Sequence, residues 1–269
     1  MYRFTLFLLA GSLAGQVIPL AVHGAVVVAS VQLNGQGPFR MILDTGASSC
    51  SVVPRVAGLL RLKPEYRVLD ETPTDKRWIP GSRSVEVSLG TVVANNVEFL
   101  WQESRGFAEA GLEVDGVLGQ SFLSRYDYLL DYKSRQLVLD SGDRPAAERG
   151  GKRIKFSRVA GLMLLPAMNP SDGSMHLILD SAASNVFLWR AGGNQALDRP
   201  ASLIAMNGKR GLSLVHMPLL VVGDQVLQRL DAVVGPPPGD DRLEDGLLPA
   251  VLFQSIYVSN SEAWVKLRR

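Results

Sequence analysis

The sequence is poor in the residue types that build most covalent and metal-dependent sites. It has one cysteine, Cys50, so an intramolecular disulfide is impossible. Its three histidines, His23, His176 and His216, do not have the spacing of metal ligands. It also lacks the Gly-x-Ser-x-Gly, phosphate-loop and dinucleotide-binding motifs. We therefore expect neither a metal nor another cofactor.

A strong net charge and a long stretch of helical periodicity are also lacking. The chain has 28 basic and 26 acidic residues, which gives a net charge of +2. This small charge argues against a nucleic-acid partner. Apolar runs rich in Val, Ile and Leu recur between clusters of Gly, Pro and Asn. This pattern predicts an all-β protein. Short helices are expected only near Pro54 to Leu60 and Gln120 to Tyr126.

Residues 1–24 have the features of a signal peptide. Arg3 gives a basic start, Phe4 to Ala14 form an apolar run, and small residues lead to Gly24. We expect cleavage after Gly24 and a periplasmic or secreted protein. The alternative is an uncleaved membrane anchor, because apolar character persists past Ala25, although polar residues and a proline interrupt the span.

The chain contains an internal duplication. Phe39 to Ser48 aligns with Met175 to Ser184, 136 residues later, and both segments pass from an apolar strand through an aspartate to small residues. Asp115 to Gly119 aligns with Asp245 to Pro249, 130 residues later. Because order and spacing are both preserved, the duplication predicts two lobes of similar structure.

The polar stretch between the repeats is the natural connector. Asp140 to Gly151 contains several turn-forming residues. We place the N-terminal lobe at residues 25–145 and the C-terminal lobe, a degenerate copy, at residues 152–269.

The aspartate in each repeat suggests the chemistry. Asp44 and Asp180 each follow an apolar strand and enter a turn, where a carboxylate projects from a dry surface. Two carboxylates about 3 Å apart cannot both ionise, so they share one proton. One can then take a proton from a water molecule while the other polarises a carbonyl, which is the acid/base pair needed to hydrolyse a peptide bond.

Asp44-Thr45-Gly46-Ala47-Ser48, with Val117-Leu118-Gly119 downstream, resembles the active-site pattern of retropepsin-like and pepsin-like aspartic peptidases. The resemblance implies a two-lobed β-barrel fold, a polypeptide substrate and a monomeric enzyme. It implies that Asp44 and Asp180 are catalytic. It also implies that Thr45 and Ser181 hydrogen-bond across the lobe interface, while the N–H groups of Gly46 and Ala182 approach the carboxylates.

The residue three after each aspartate is Ala47 or Ala183. Many acid-working pepsins have a hydroxyl there that donates to the ionised carboxylate. Its loss should raise the apparent pKa values of the pair. We therefore expect activity at mildly acidic to neutral pH.

The resemblance also implies a β-hairpin flap over the substrate. The candidate is a turn around Trp78 to Ser82, with Trp78 and Gly81 as substrate-binding residues. Alternatively, Trp78 is a surface or hinge aromatic. Asn207 to Gly211 is the candidate for the matching turn in the second lobe.

Two departures affect the second lobe. Ala182 stands where the pattern has Gly, and Pro249 stands where the first repeat has Gly119. Alanine at 182 is unfavourable if the site requires a positive φ and is tolerated in an extended conformation. Pro249 lacks an N–H and would reshape the element beneath Asp180. Sequence alone leaves both alternatives open.

Other candidates have structural interpretations. Cys50 lies in an apolar strand with no nearby histidine, so core packing is favoured over a nucleophile. Asp115 and Asp245 each precede a glycine, as expected of turn residues.

We therefore predict an aspartic endopeptidase. One alternative is a catalytically weak peptide-binding module of the cell envelope. The other is an enzyme that self-associates through its first half.

Overall fold

A computed structural model describes residues 16–71, 76–139, 151–205, 208–236 and 242–269. The described residues up to 139 form 11 strands and three helices, most of which belong to the first lobe. In chain order they are β1 (Gln16–Pro19), β2 (Ala21–His23), β3 (Val26–Leu33), β4 (Gln36–Leu43), β5 (Cys50–Val52), α1 (Pro54–Leu59), β6 (Tyr66–Glu71), β7 (Lys76–Leu89), β8 (Val92–Trp101), α2 (Arg105–Glu109), β9 (Gly116–Leu118), α3 (Gln120–Leu123), β10 (Tyr128–Asp131) and β11 (Gln136–Leu139).

The second lobe repeats this series with a single 3₁₀ turn at Ala250–Leu252. Its strands are β12 (Ile154–Lys155), β13 (Ser157–Val159), β14 (Leu162–Asn169), β15 (Gly173–Asp180), β16 (Val186–Leu188), β17 (Gln195–Ala205), β18 (Gly208–Val222), β19 (Gln225–Val234), β20 (Gly246–Pro249), β21 (Ser255–Ser259) and β22 (Trp264–Arg268).

The two lobes have the same sheet topology. The first eight-stranded sheet has the order β2-β3-β4-β9-β5-β8-β7-β6, and the second has the order β13-β14-β15-β20-β16-β19-β18-β17. Each strand of one sheet has a counterpart in the other, including the extra pairings β3–β7 and β14–β18. The predicted all-β, two-lobed fold is confirmed, and α1 and α3 lie where short helices were predicted.

A six-stranded sheet joins the lobes. Its order is β1-β11-β10-β21-β22-β12, so three strands of the first repeat meet three strands of the second at its centre, where β10 pairs with β21. In this sheet β1 is the counterpart of β12. The polar connector that the sequence predicts lies largely outside the described residues, since β11 ends at Leu139 and the description resumes at residue 151.

Strands β1 and β2 lie within the segment that the sequence analysis assigned to a signal peptide. β1 pairs with β11 from Gln16↔Leu139 to Pro19↔Gln136, and Ile18 and Leu20 are buried in the main core. β2 pairs with β3. Cleavage after Gly24 would remove both strands. Among the described residues, no helix has the length and apolar character needed to span a membrane.

Period-two alternation explains how the strands support the site. In β4, Phe39, Met41 and Leu43 point into the main core, whereas Ile42 packs in a separate cluster on the opposite face. In β15, Leu177 and Leu179 likewise face the main core. Asp44 directly follows β4, and Asp180 is the last residue of β15, so the two aspartates occupy equivalent places in their sheets.

Candidate active site

Asp44 and Asp180 occupy equivalent positions at the ends of β4 and β15. Each strand lies parallel to a short partner, β9 in the first lobe and β20 in the second. The two side chains lie close enough for each to influence the pKa of the other. The fold thus brings together two acids that are 136 residues apart in the sequence.

Thr45 and Ser181 form a reciprocal set of four hydrogen bonds between the lobes. Thr45 Oγ1 donates to the Leu179 carbonyl at 2.7 Å and accepts from the Ser181 N–H at 3.0 Å. Ser181 Oγ donates to the Leu43 carbonyl at 2.7 Å and accepts from the Thr45 N–H at 2.9 Å. Both side chains are fully buried. This arrangement fixes the two aspartate turns relative to each other.

Backbone N–H groups of the turns bind the carboxylates. Asp44 Oδ1 accepts from Gly46 at 2.8 Å. Asp180 Oδ1 accepts from Ala182 at 2.7 Å and from Ala183 at 2.9 Å. Gly46 approaches the partner acid so closely that a Cβ atom there would lie 2.6 Å from Asp180 Cγ. Glycine is therefore required at position 46.

Burial raises the pKa of both acids. For Asp44, the loss of solvation is the largest cause, the negative charge of Asp180 adds to it, and the pKa lies well above its usual range. The pKa of Asp180 is also raised by burial, but the N–H groups of Ala182 and Ala183 and a hydrogen bond from Asp44 oppose the increase. Burial therefore opposes the ionisation of both acids at once.

Ala182 is accommodated without backbone strain. It does not adopt a positive φ, and its N–H still donates to Asp180. Its methyl group packs against an apolar cluster of the first lobe. The second lobe thus retains the carboxylate donor that the glycine of the first lobe supplies.

The change from Gly119 in the first lobe to Pro249 in the second is accompanied by a change at the residue that Gly119 contacts. In the first lobe, the Gly119 N–H donates to Cys50 Sγ at 3.3 Å. The counterpart of Cys50 in the second lobe is Val186, which has no acceptor, so Pro249 leaves no partner unsatisfied. Pro249 still pairs with Asp180 in the β15–β20 register. The element beneath Asp180 is therefore preserved.

Gln120 supports the first turn and was missed as a site residue in the sequence. Its Nε2 donates to the Thr45 carbonyl at 2.9 Å and its N–H donates to the Ala47 carbonyl at 2.9 Å. It directly follows the downstream apolar-apolar-Gly element, and this position was the available signal. Its second-lobe counterpart is Ala250, so only the first turn has this support.

An apolar surface, here called the first-lobe wall, flanks the dyad. It consists of a buried cluster to which Phe107 of α2 and the turn residues Ala47 and Ala182 are packed. α2, which the sequence did not reveal, also lies against β17 and β18 of the other lobe. The buried members of the wall are Val28, Ile42, Leu112, Val114 and Val117.

Trp78 and Gly81 lie within a continuous strand, so the turn predicted at Trp78 to Ser82 is absent from this part of the chain. β7 runs from Lys76 to Leu89 and pairs with β6, and the tip of this hairpin, residues 72–75, lies outside the described residues. Trp78 is 60% exposed. Gly81 faces Tyr66, because a Cβ atom there would lie 2.7 Å from the Tyr66 ring.

A polar network attaches this hairpin to the loop that follows Asp44. Glu98 accepts hydrogen bonds from the Tyr66 hydroxyl and, at 2.9 Å, from Ser49 Oγ. Arg83 stacks over the Tyr66 ring. In the second lobe, Asn207 lies outside the described residues, and Gly208 to Gly211 begin β18 instead of forming a turn.

The remaining candidates have structural contacts. Cys50 is buried in the main core, and burial raises the pKa of its thiol to about 11. Asp115 Oδ2 accepts from the Arg40 N–H at 2.8 Å, and Asp245 Oδ2 accepts from the His176 N–H at the same distance. In the described ranges, no group of three or more His, Cys, Asp or Glu side chains is arranged to hold a metal ion.

Comparisons with known proteins agree with this geometry. Residues 29–122 match the family model described as "Aspartyl protease". The structure is similar to an aspartic proteinase from Irpex lacteus, with a TM-score of 0.56 and 10% identity over 95% of this chain and 97% of the other. A retropepsin-like aspartic protease from Rickettsia conorii matches 52% of this chain and 96% of its own, at 18% identity and a TM-score of 0.36. The comparison with curated proteins gives no match.

Proposed function

We propose that this chain is an aspartic endopeptidase, because residues 29–122 match the aspartyl protease family model and the two-lobed fold is similar to that of an aspartic proteinase. The observation that carries this proposal is the pair Asp44 and Asp180, two acids with raised pKa values on turns that four hydrogen bonds between the lobes hold together. A binding module would have no need of two acids whose ionisation is opposed by burial.

In the proposed mechanism, Asp180 acts first as the base and Asp44 as the acid. Ionised Asp180 takes a proton from a water molecule, whose oxygen attacks the carbonyl carbon, while the Asp44 proton hydrogen-bonds to the carbonyl oxygen. Proton transfer to the amide nitrogen then allows the C–N bond to break. The products are a carboxyl and an amine, and the pair again holds one proton.

The substrate is proposed to be an extended polypeptide in the cleft between the lobes. Long hairpins in both lobes, β6–β7 and β17–β18, supply strand edges for main-chain pairing. We propose that the β6–β7 hairpin covers the substrate, with Trp78 as a contact residue. We also propose that the enzyme is a monomer, because one chain supplies both acids.

A peptide library tests this function. The purified chain, starting at Gly15, is expected to cleave extended peptides, and a statine-type transition-state mimic is expected to inhibit it at one molecule per chain. Because the pKa values of both acids are raised, the singly protonated pair persists to higher pH, and the optimum should be mildly acidic to neutral. An optimum near pH 2, or no cleavage between pH 3 and pH 8, would contradict the proposal.

We further propose that the protein is exported and that its leader ends before Gln16. Ser12 and Ala14 are small residues suited to positions −3 and −1 of a cleavage site before Gly15. Removal of residues up to Gly24 would expose the core surfaces that Ile18 and Leu20 cover, at a cost of about 3–6 kcal/mol. The intact mass of the exported protein is expected to fit a start at Gly15, whereas a stable protein starting at Ala25 would contradict this proposal.

A further inference from the structure

The Tyr66 side chain crosses one strand to reach the next. Tyr66 of β6 lies opposite Gly81 of β7, and Gly81 lies opposite Leu100 of β8. A Cβ atom at Gly81 would lie 2.7 Å from the Tyr66 ring and 2.8 Å from its hydroxyl oxygen. The ring therefore occupies the space that a side chain at Gly81 would fill, and its hydroxyl donates to Glu98 on β8.

Glu98 joins the β6–β7 hairpin to the loop that follows Asp44. One oxygen of its carboxylate accepts a hydrogen bond from Tyr66, and the other accepts one from Ser49 Oγ at 2.9 Å. Arg83 of β7 lies 3.4 Å from the first oxygen and stacks over the Tyr66 ring. Because each oxygen binds a different segment through a charge-assisted hydrogen bond, the carboxylate fixes the separation of the two segments.

Ser49 belongs to the short loop between Asp44 and β5. The next residue, Cys50, donates its N–H to Ser121 Oγ at 2.9 Å, and Ser121 Oγ donates to the Glu98 carbonyl at 2.9 Å. Glu98 is therefore connected to the end of this loop through its backbone as well as through its side chain.

The second lobe has apolar residues at the two positions that form the crossing. In the strand register, Leu197 of β17 corresponds to Tyr66, and Leu214 of β18 corresponds to Gly81. A leucine side chain has no N–H or O–H group, so it cannot donate to an acid. Leu214 instead packs into an apolar cluster of that lobe. Since leucines maintain the same strand register, the register alone does not require the polar link of the first lobe.

We propose that Glu98 is a positioning residue, which holds the β6–β7 hairpin at a fixed place relative to Asp44 through its bonds to Tyr66 and Ser49. This inference rests on the proposed endopeptidase function, in which the substrate main chain pairs with the hairpin. β6 is the end strand of its sheet. A hairpin that is ordered before the substrate arrives saves the free energy of ordering it on binding, so the link lowers KM.

Steady-state cleavage kinetics of three variants test this role. Tyr66→Phe and Ser49→Ala each remove one end of the link, and we expect each to raise KM about 10-fold with little change in kcat. The double variant should match the single ones, because a link that is broken at one end has nothing more to lose. A loss of folded protein would instead lower the apparent kcat at unchanged KM, so this split distinguishes positioning from general stability.

Gly81→Ala tests the crossing without removing a hydrogen-bonding group. Gly81 does not adopt a positive φ, so its backbone accepts alanine, but the added methyl group should displace the Tyr66 ring and raise KM as Tyr66→Phe does. Tyr126→Phe is the matched control. It makes the same chemical change at a tyrosine outside the hairpin, whose ring packs against Phe122, and should leave KM unchanged.

The outcomes separate this inference from the function on which it rests. An unchanged KM in Tyr66→Phe and Gly81→Ala, or increases in KM that multiply in the Tyr66→Phe and Ser49→Ala double variant, would overturn the inference alone. Absence of cleavage by the wild-type chain would overturn the proposed function, and this inference with it.

Discussion

Asp44→Asn and Asp180→Asn are each expected to slow peptide cleavage by at least about 1000-fold. Either substitution replaces one of the two carboxyls that share the proton with an amide. The pair can then no longer activate water and polarise the carbonyl together. Both losses should be of similar size, because the two acids act as a unit. The measurement is kcat/KM for a peptide that the wild-type chain cleaves.

The thermal stability of Asp44→Asn should be kept or raised while its activity is lost. This difference separates loss of catalysis from misfolding. The folded-state pKa of Asp44 is raised, so its ionisation costs stability as the pH rises from about 3.9, the ordinary value, through the raised one. Asparagine is neutral at every pH and removes this cost. The Tm of Asp44→Asn should therefore equal or exceed that of the wild type at pH 7 and show no gain at pH 3.5.

The same pair of variants distinguishes the alternative functions. An enzyme that self-associates through its first lobe would lose activity with Asp44→Asn and keep it with Asp180→Asn. A peptide-binding module would have no activity to lose. Glu113→Gln, which changes an exposed acid next to the first-lobe wall, is the control and should leave kcat/KM unchanged.

Thr45→Val is expected to lower both stability and activity. It removes the hydroxyl that serves Leu179 and Ser181, and leaves a buried carbonyl and a buried N–H without their partner. Each unsatisfied group costs about 1–3 kcal/mol, for a loss of about 2–6 kcal/mol in the free energy of unfolding. Displacement of the turns should also lower kcat by about 10- to 100-fold.

Thr45→Ser is the matched control, since it retains the hydroxyl and loses only a methyl group. It should behave nearly as the wild type in urea unfolding and in cleavage. Ser181→Ala should repeat the effects of Thr45→Val, because the two hydroxyls make equivalent bonds. A Thr45→Val chain with unchanged unfolding and kcat would show that these bonds do not hold the dyad.

The internal repeat made the catalytic turns predictable. Asp44 and Asp180 were found because an apolar strand, an acid and small residues recur in the same order, and this order survives even where Gly becomes Ala. The fold class followed from short apolar runs bounded by turn residues. These signals are local, so a single sequence carries them.

Contacts distant in sequence could not be predicted in the same way. The apolar character of β1 reads as part of a leader, and only its pairing with β11 reveals its place in the joining sheet. Pro80 and Gly81 read as a turn, whereas Gly81 is small because the Tyr66 ring occupies the space beside it. In both cases the reason for the residue lies in a partner strand.

The second lobe's departures show the same limit. From the sequence alone, Pro249 reads as damaging, because proline lacks the N–H that its counterpart in the first repeat, Gly119, can donate. Only the structure shows that this partner is Cys50 and that the second repeat has Val186 in its place. The paired change can be recognised once the contact is known.

The account depends on one proton shared by the carboxyls of Asp44 and Asp180. Carbon-13 NMR titration of aspartate-labelled protein, with Asp44→Asn and Asp180→Asn used for assignment, measures this directly. We expect the pair to keep one proton well above pH 4, and Asp44 to be the last of the two to ionise. If both carboxyls instead titrate independently near the ordinary value of about 3.9, the dyad does not exist as described.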